Sequence, residues 1–171
     1  MEALKSKIRS VPDFPKPGIL FYDITTLLRD AEGLRLAIES LASPHHGAPI
    51  DLVIGIESRG FILGAAVADR LGIGFVPVRK VGKLPSTTVR VTYDLEYGTD
   101  GLEMHDDAVE RGQHVLIVDD LLATGGTAAA TVDLVTRQGA TVHALSFLIE
   151  LSGLSGRSRL GQETIHSVLT Y

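Results

Sequence analysis

Cysteine and tryptophan are missing from this chain, methionine occurs twice, and aromatic residues make up only 5% of its 171 residues. Without thiols there is neither a disulfide framework nor a thiolate metal site, and an extracellular origin gains no support. An excess of positive charge is lacking too: 16 Lys and Arg stand against 21 Asp and Glu, a formal net charge of −5. That balance argues against a protein that binds nucleic acid or an anionic membrane through a general field, so any anion must be caught locally. Long hydrophobic runs are absent. The longest, 61–68, is far too short to span a bilayer, and residues 1–9 hold no apolar leader core. The six histidines show no metal-ligand spacing and read as surface or packing residues. The chain is expected to be soluble and cytoplasmic.

What is present is a chain with 44% apolar residues, enough for one core and one domain over 1–171. Its most informative stretch is Asp119-Asp120-Leu121-Leu122-Ala123-Thr124-Gly125-Gly126-Thr127. The preceding Val115-Leu116-Ile117-Val118 reads as a buried strand of a parallel sheet. After Thr127 the pattern is helical, with Ala128, Val132 and Val135 on one face and Gly139 at the expected C-terminal stop. Two carboxylates at a strand's carboxyl end, then a small-residue turn opening a helix, mark the edge where open α/β sheets bind ligands.

Each residue type in that turn has a physical role. Gly125 and Gly126 permit positive φ and close approach, while Thr124, Thr127 and the free amides of the first helical turn supply donors. Four or five charge-assisted hydrogen bonds of roughly 1.5–3 kcal/mol each would hold a phosphate monoester without a lysine. The stretch lacks the Gly-Lys-Ser/Thr of a Walker loop and the Gly-x-Gly-x-x-Gly of a dinucleotide fingerprint. Asp119 and Asp120 would repel a phosphate in contact, so they must face hydroxyls or a cation. A sugar phosphate satisfies both halves.

Further along, Leu52–Ile56 reads as a strand, followed by a small-residue helix over 60–71 closed by Gly72. Glu57-Ser58-Arg59-Gly60 lies between them, and an arginine with free amides at a helix start suits a diphosphate; an ordinary turn with a surface arginine is the alternative. Arg79, Lys80 and Lys83 form the one dense basic cluster, which composition alone would also allow as a solvated charge run. Residues 87–93 alternate like a hairpin strand, and glycines at 82 and 98 bracket a candidate lid. Asp30 is expected to cap a helix through Ala42, and Pro12, Pro15 and Pro17 to hold the N-terminal segment as an extended arm rather than core.

These motifs resemble those of the type I phosphoribosyltransferases. The resemblance extends through 12–18, 21–25, Glu57-Ser58-Arg59-Gly60-Phe61, Arg79-Lys80-Val81-Gly82-Lys83-Leu84-Pro85, Tyr93-Asp94-Leu95-Glu96-Tyr97-Gly98 and Leu148-Ile149-Glu150-Leu151, in that family's order. The Arg-Lys-x-Gly-Lys-Leu-Pro and Leu-Glu-Tyr-Gly segments are those of its adenine-using branch. The resemblance implies an α/β fold with a central, mostly parallel sheet flanked by helices, an N-terminal hood over 1–28, and a basic loop and flexible lid over 79–100. It implies transfer of a phosphoribosyl group from phosphoribosyl diphosphate to adenine, with Mg²⁺ accompanying the diphosphate, in a homodimer, and no nucleic-acid or membrane partner. On the matching positions, Asp119 and Asp120 would hold the sugar and Glu96 would close the lid. Ala123, Thr124, Gly125, Gly126 and Thr127 would grip the 5-phosphate. Ser58, Arg59, Arg79 and Lys83 would meet pyrophosphate, and Leu20, Phe21, Tyr22 and Leu151 would frame the base. Val81 and Tyr22 depart from the family, which often has basic residues there. Transfer to hypoxanthine, xanthine or orotate, and a non-catalytic sensor of phosphoribosyl diphosphate, are the alternatives. Such a sensor usually carries a DNA-binding helix-turn-helix, for which the N-terminal arm is too short.

Overall fold

The computed structural model describes residues 2–95 and 98–171. Its frame is a sheet of seven strands in the order β5-β6-β4-β3-β7-β8-β9. These are β3 (Leu52–Ile56), β4 (Gly74–Lys80), β5 (Thr88–Leu95), β6 (Gly98–His105), β7 (His114–Leu122), β8 (Thr141–Glu150) and β9 (Ile165–Thr170). The run β4-β3-β7-β8-β9 is parallel, and the β5–β6 hairpin joins β4 antiparallel. A separate two-stranded ribbon pairs β1 (Arg9–Pro12) with β2 (Leu20–Asp23).

Period-two alternation distributes the apolar residues to two cores. Val115, Ile117, Leu145 and Phe147 face the side covered by α5 (Gly126–Arg137). Leu116, Val118, Ala144 and Leu148 face α1 (Glu2–Lys5), α2 (Thr25–Arg29), α3 (Ala31–Ala42) and α4 (Arg59–Leu71). Asp30 caps α3 as expected, its carboxylate accepting from the Gly33 amide at 2.7 Å. Gly72 ends α4 in the left-handed region at φ 72°.

The strand read over 115–118 runs from His114 to Leu122, so the two aspartates stand near its carboxyl end as expected, with Leu121 and Leu122 still in the strand beyond them. One expectation changes. The N-terminal segment is not all arm: Leu4, Ile24 and Leu27 are buried beneath α3 and α4, and only the β1–β2 ribbon projects. The prolines at 12, 15 and 17 fall between these residues, so the extended stretch they impose leaves α1 and α2 free to bury apolar side chains.

Close packing of α4 on β3 positions the next feature. A Cβ on Gly55 would lie 2.6 Å from the Gly60 carbonyl oxygen and 2.6 Å from the Phe75 ring. Only glycine lets the first turn of α4 sit this near the strand, which brings Ser58 and Arg59 to the carboxyl edge of the sheet.

Candidate active site

At that edge lies a cleft of about 290 Å³ lined by Glu57, Ser58, Arg59, Lys80 and the continuous run from Asp119 to Ala128. The ends of three adjacent parallel strands, β4, β3 and β7, thus deliver its walls, the position open α/β sheets reserve for ligands. Ser58, Arg59, Asp119, Asp120 and all of Ala123 to Thr127 are brought together there.

Asp120 is buried, and its Oδ2 accepts from Arg59 Nε at 2.5 Å. Its own amide donates to Asp119 Oδ1 at 2.9 Å. Burial, then the negative charge of Asp120, pushes the Asp119 carboxyl well above the usual carboxylate range. Burial works to lower the Arg59 pKa but is outweighed by the Asp120 hydrogen bond and charge, so the guanidinium stays firmly charged. Gly60 also guards this geometry, since a Cβ there would stand 2.8 Å from Asp119 Oδ1.

The turn into α5 is shaped by one glycine, not two. Gly125 is left-handed at φ 78°, and a Cβ on it would meet the Gly156 carbonyl oxygen at 2.4 Å. Gly126 lies in α5, outside the positive-φ region, and a Cβ there would make only ordinary contacts with Arg159 and Tyr93. Of the two glycines whose conformational freedom the sequence offered, only Gly125 uses it. First-turn amides of a helix have no intrahelical acceptor, and those of α5 belong to residues lining the cleft. With the helix dipole behind them they suit an anion.

The basic cluster divides. Lys80 lines the cleft and its Nζ pairs with Asp100, while its amide donates to Glu57 Oε2 at 3.0 Å. Arg79 instead donates to Glu57 from Nε at 3.2 Å and to the Lys83 carbonyl from Nη1 at 3.0 Å. Lys83 and Leu84 donate their amides to the fully buried Glu103 at 2.9 and 3.0 Å. Neither Arg79 nor Lys83 lines this cleft within the single chain. Counting by twos along β4 from the buried Val76 and Val78 puts Lys80 on their face and Arg79 on the other, a signal the sequence did carry. Nothing local in the sequence marked Glu57 or Glu103 as the anchors of this cluster.

Of the residues expected to frame a base, Phe21 approaches the cleft: the Arg59 guanidinium lies over its ring at 5.7 Å, and Phe14 meets its edge at 5.2 Å. Tyr22 turns away and stacks on Tyr171 at 4.1 Å. Leu20 is exposed on the ribbon, and the Leu151 amide donates to the Leu122 carbonyl at 2.9 Å behind the loop. Glu96 lies outside the described residues. Among the described residues no cluster of three or more His, Asp or Glu could hold a metal ion. Of the carboxylates lining the cleft, Asp120 is engaged by Arg59 and Glu57 by Arg79 and the Lys80 amide, so a cation there needs further oxygens from its ligand.

Comparison with known proteins places this geometry. The model of the phosphoribosyl transferase domain matches residues 26–158. An adenine phosphoribosyltransferase of Acidobacterium capsulatum is 60% identical over 170 residues, spanning 99% of this chain and 94% of that protein. The crystal structure of the enzyme of that name from Rhodothermus marinus is 58% identical and superposes with a TM-score of 0.94, over 99% of this chain and 97% of the other. One from Saccharomyces cerevisiae, solved with an imino-altritol bisphosphate and adenine, is 40% identical with a TM-score of 0.93, over 98% and 97%. The chain belongs to the type I phosphoribosyltransferases and, within them, to the adenine phosphoribosyltransferase family. Among the described residues no helix is long and apolar enough to cross a membrane.

Proposed function

We propose that this cleft transfers the 5-phosphoribosyl group of phosphoribosyl diphosphate to adenine, releasing AMP and pyrophosphate. The observation that carries the reading is the meeting, in one polar cleft, of the amide-lined turn at Gly125 with the Asp119–Asp120 pair and Arg59. The turn from Ala123 to Thr127 grips the 5-phosphate, a part of the substrate that does not react. Binding energy gained there holds C1 of the ribose in place for attack. Asp119 and Asp120 accept from the ribose hydroxyls, and the negative charge of Asp120 opposes the positive charge that develops at C1 as its bond to the pyrophosphate oxygen breaks and the bond to N9 of adenine forms. Pyrophosphate leaves with the electron pair of the broken C1–O bond, and adenine gives up its N9 proton to solvent.

Arg59 is held by Asp120 in the free protein. On substrate binding it exchanges that partner for diphosphate oxygens, and its contact with Phe21 then ties the base wall to the leaving group. Ser58 and Lys80 complete the diphosphate side. Leu20, Phe21, the backbone of Tyr22, and Leu151 frame adenine. Magnesium bound with phosphoribosyl diphosphate supplies charge neutralisation for the leaving pyrophosphate. Arg79 and Lys83, which do not line the cleft of their own chain, reach pyrophosphate across a homodimer. Glu96 acts in the lid that excludes water from the reacting centre.

The test is direct. Incubated with phosphoribosyl diphosphate, Mg²⁺ and each purine in turn, the protein forms AMP and pyrophosphate in equal amounts with adenine. Equal turnover with hypoxanthine, or no nucleotide at all, refutes the assignment.

A further inference from the structure

Behind the turn that joins β7 to α5 lies a strap of two short 3-10 turns, Ser152–Leu154 and Gly156–Arg159, which follows β8. It meets the turn backbone to backbone. A Cβ on Gly156 would stand 2.3 Å from the Ala123 carbonyl oxygen and 3.0 Å from Leu122 Cδ1. In the reciprocal direction, a Cβ on Gly125 would stand 2.4 Å from the Gly156 carbonyl oxygen. Gly156 is buried and is not among the positive-φ glycines. Space alone, and not backbone conformation, therefore demands glycine at this position.

The strap is fastened on both sides of that contact. Glu150, nearly buried at the end of β8, accepts from Arg157 Nε and Nη2, each at 2.7 Å. Arg157 also donates to the Ile165 carbonyl at 3.2 Å and to Ser167 Oγ at 3.3 Å on β9. A paired, planar fork of this kind holds its backbone in one place better than a lone contact does. Beyond it Leu160 is buried in the α5-side core. The strap cannot retreat easily, so pressure at the contact falls on the turn.

We propose that Gly156 is a positioning residue for the 5-phosphate site: its bare backbone is the backstop that fixes the Ala123–Gly125 turn, and the Glu150–Arg157 pair holds that backstop in place. Gly156 does not line the cleft and touches no substrate. A methyl group at 156 must move the Ala123 carbonyl by about 1 Å, and misplacement on that scale costs on the order of a hundredfold where a site is pre-organised. The effect is confined to ligands that carry the 5-phosphate. This inference rests on the reading of that turn as the phosphate site.

The test uses Gly156→Ala in the full chain, with ribose 5-phosphate binding measured by calorimetry beside the KM for phosphoribosyl diphosphate and the KM for adenine. The expected result is a rise of about tenfold to a hundredfold in the ribose 5-phosphate Kd and in the phosphoribosyl diphosphate KM, with the adenine KM within about twofold. An unchanged ribose 5-phosphate Kd in a folded variant overturns the proposal, as does an equal loss for adenine. Should Gly156→Ala fail to fold, Arg157→Gln decides: it leaves Gly156 in place but frees the strap. Ribose 5-phosphate binding weakened at least about threefold, with the adenine KM kept, supports the backstop, and unchanged binding overturns it. If the wild-type protein itself does not bind ribose 5-phosphate, the phosphate-site reading fails instead, and the two failures are thereby distinguished.

Discussion

His45 offers a quantitative test of the packing on the far side of the sheet. Its ring, 6% exposed, meets the edges of His143 and His166 at centroid distances of 6.3 and 6.2 Å, and its Nε2 has no hydrogen-bond partner. Burial, and then the charges of His166, His143 and His46, lowers its pKa from 6.5 to about 4. A histidine depressed in the folded state contributes stability that is present above pH 6.5. That contribution is lost as pH falls from 6.5 toward 4, because the unfolded chain takes up the proton first. Integrating those two values between pH 7 and pH 5 gives a loss of about 2 kcal/mol from this one group. Exposed neighbours such as Pro44 and His46 bring water close, so this figure is an upper bound. The assay is urea unfolding of the wild type and of His45→Leu at both pH values. Comparing the change with pH cancels any packing cost of the leucine, and His143 and His166 remain in both proteins. The wild type is expected to lose up to about 2 kcal/mol more than the variant. Equal losses would refute the depressed pKa and with it the account of a neutral, buried imidazole.

Three further outcomes follow from the site. Asp120→Asn removes the charge that holds Arg59 and opposes positive charge on the ribose, so kcat is expected to fall by at least about tenfold; steady-state kinetics unchanged from wild type would remove that role. Gly125→Ala strains a left-handed backbone and strikes the Gly156 carbonyl, whereas Gly126→Ala meets only ordinary contacts. Ribose 5-phosphate affinity should therefore drop steeply in the first and by less than about threefold in the second, and equal effects would contradict the geometry. Glu103→Gln keeps the shape but turns an amide group toward donors from Lys83, Leu84, Thr88 and Arg90. Its remaining oxygen serves the Lys83 and Leu84 amides while the charge that Arg90 and Thr88 meet is lost, so denaturant unfolding is expected to register a loss of about 1–3 kcal/mol, and a neutral result would refute Glu103 as the anchor of the basic loop.

Where the chain's chemistry is local, its sequence was legible. Apolar, β-branched runs located β3 and β7, Asp30 and Gly72 marked helix ends, and the small-residue turn after Asp120 announced a phosphate site, because each depends on neighbours a few positions away. The edge strand β9, with its polar His166 and Ser167, gave no such pattern. The division of the basic cluster was half legible, since β4's alternation separates Lys80 from Arg79, but Glu57 and Glu103 as their anchors were not.

By itself, then, the sequence determined the parallel sheet, the amide-rich turn, the adjacent carboxylates and the net charge that leaves anions to local capture. Only the tertiary structure decided that Arg59 meets Asp120 across 61 positions, that Phe21 comes under that arginine, and that Gly156 presses on Ala123 from behind. The reason is physical: propensity and periodicity act within one strand or one turn, whereas strand order and register set which distant residues share the few ångströms at a sheet's edge.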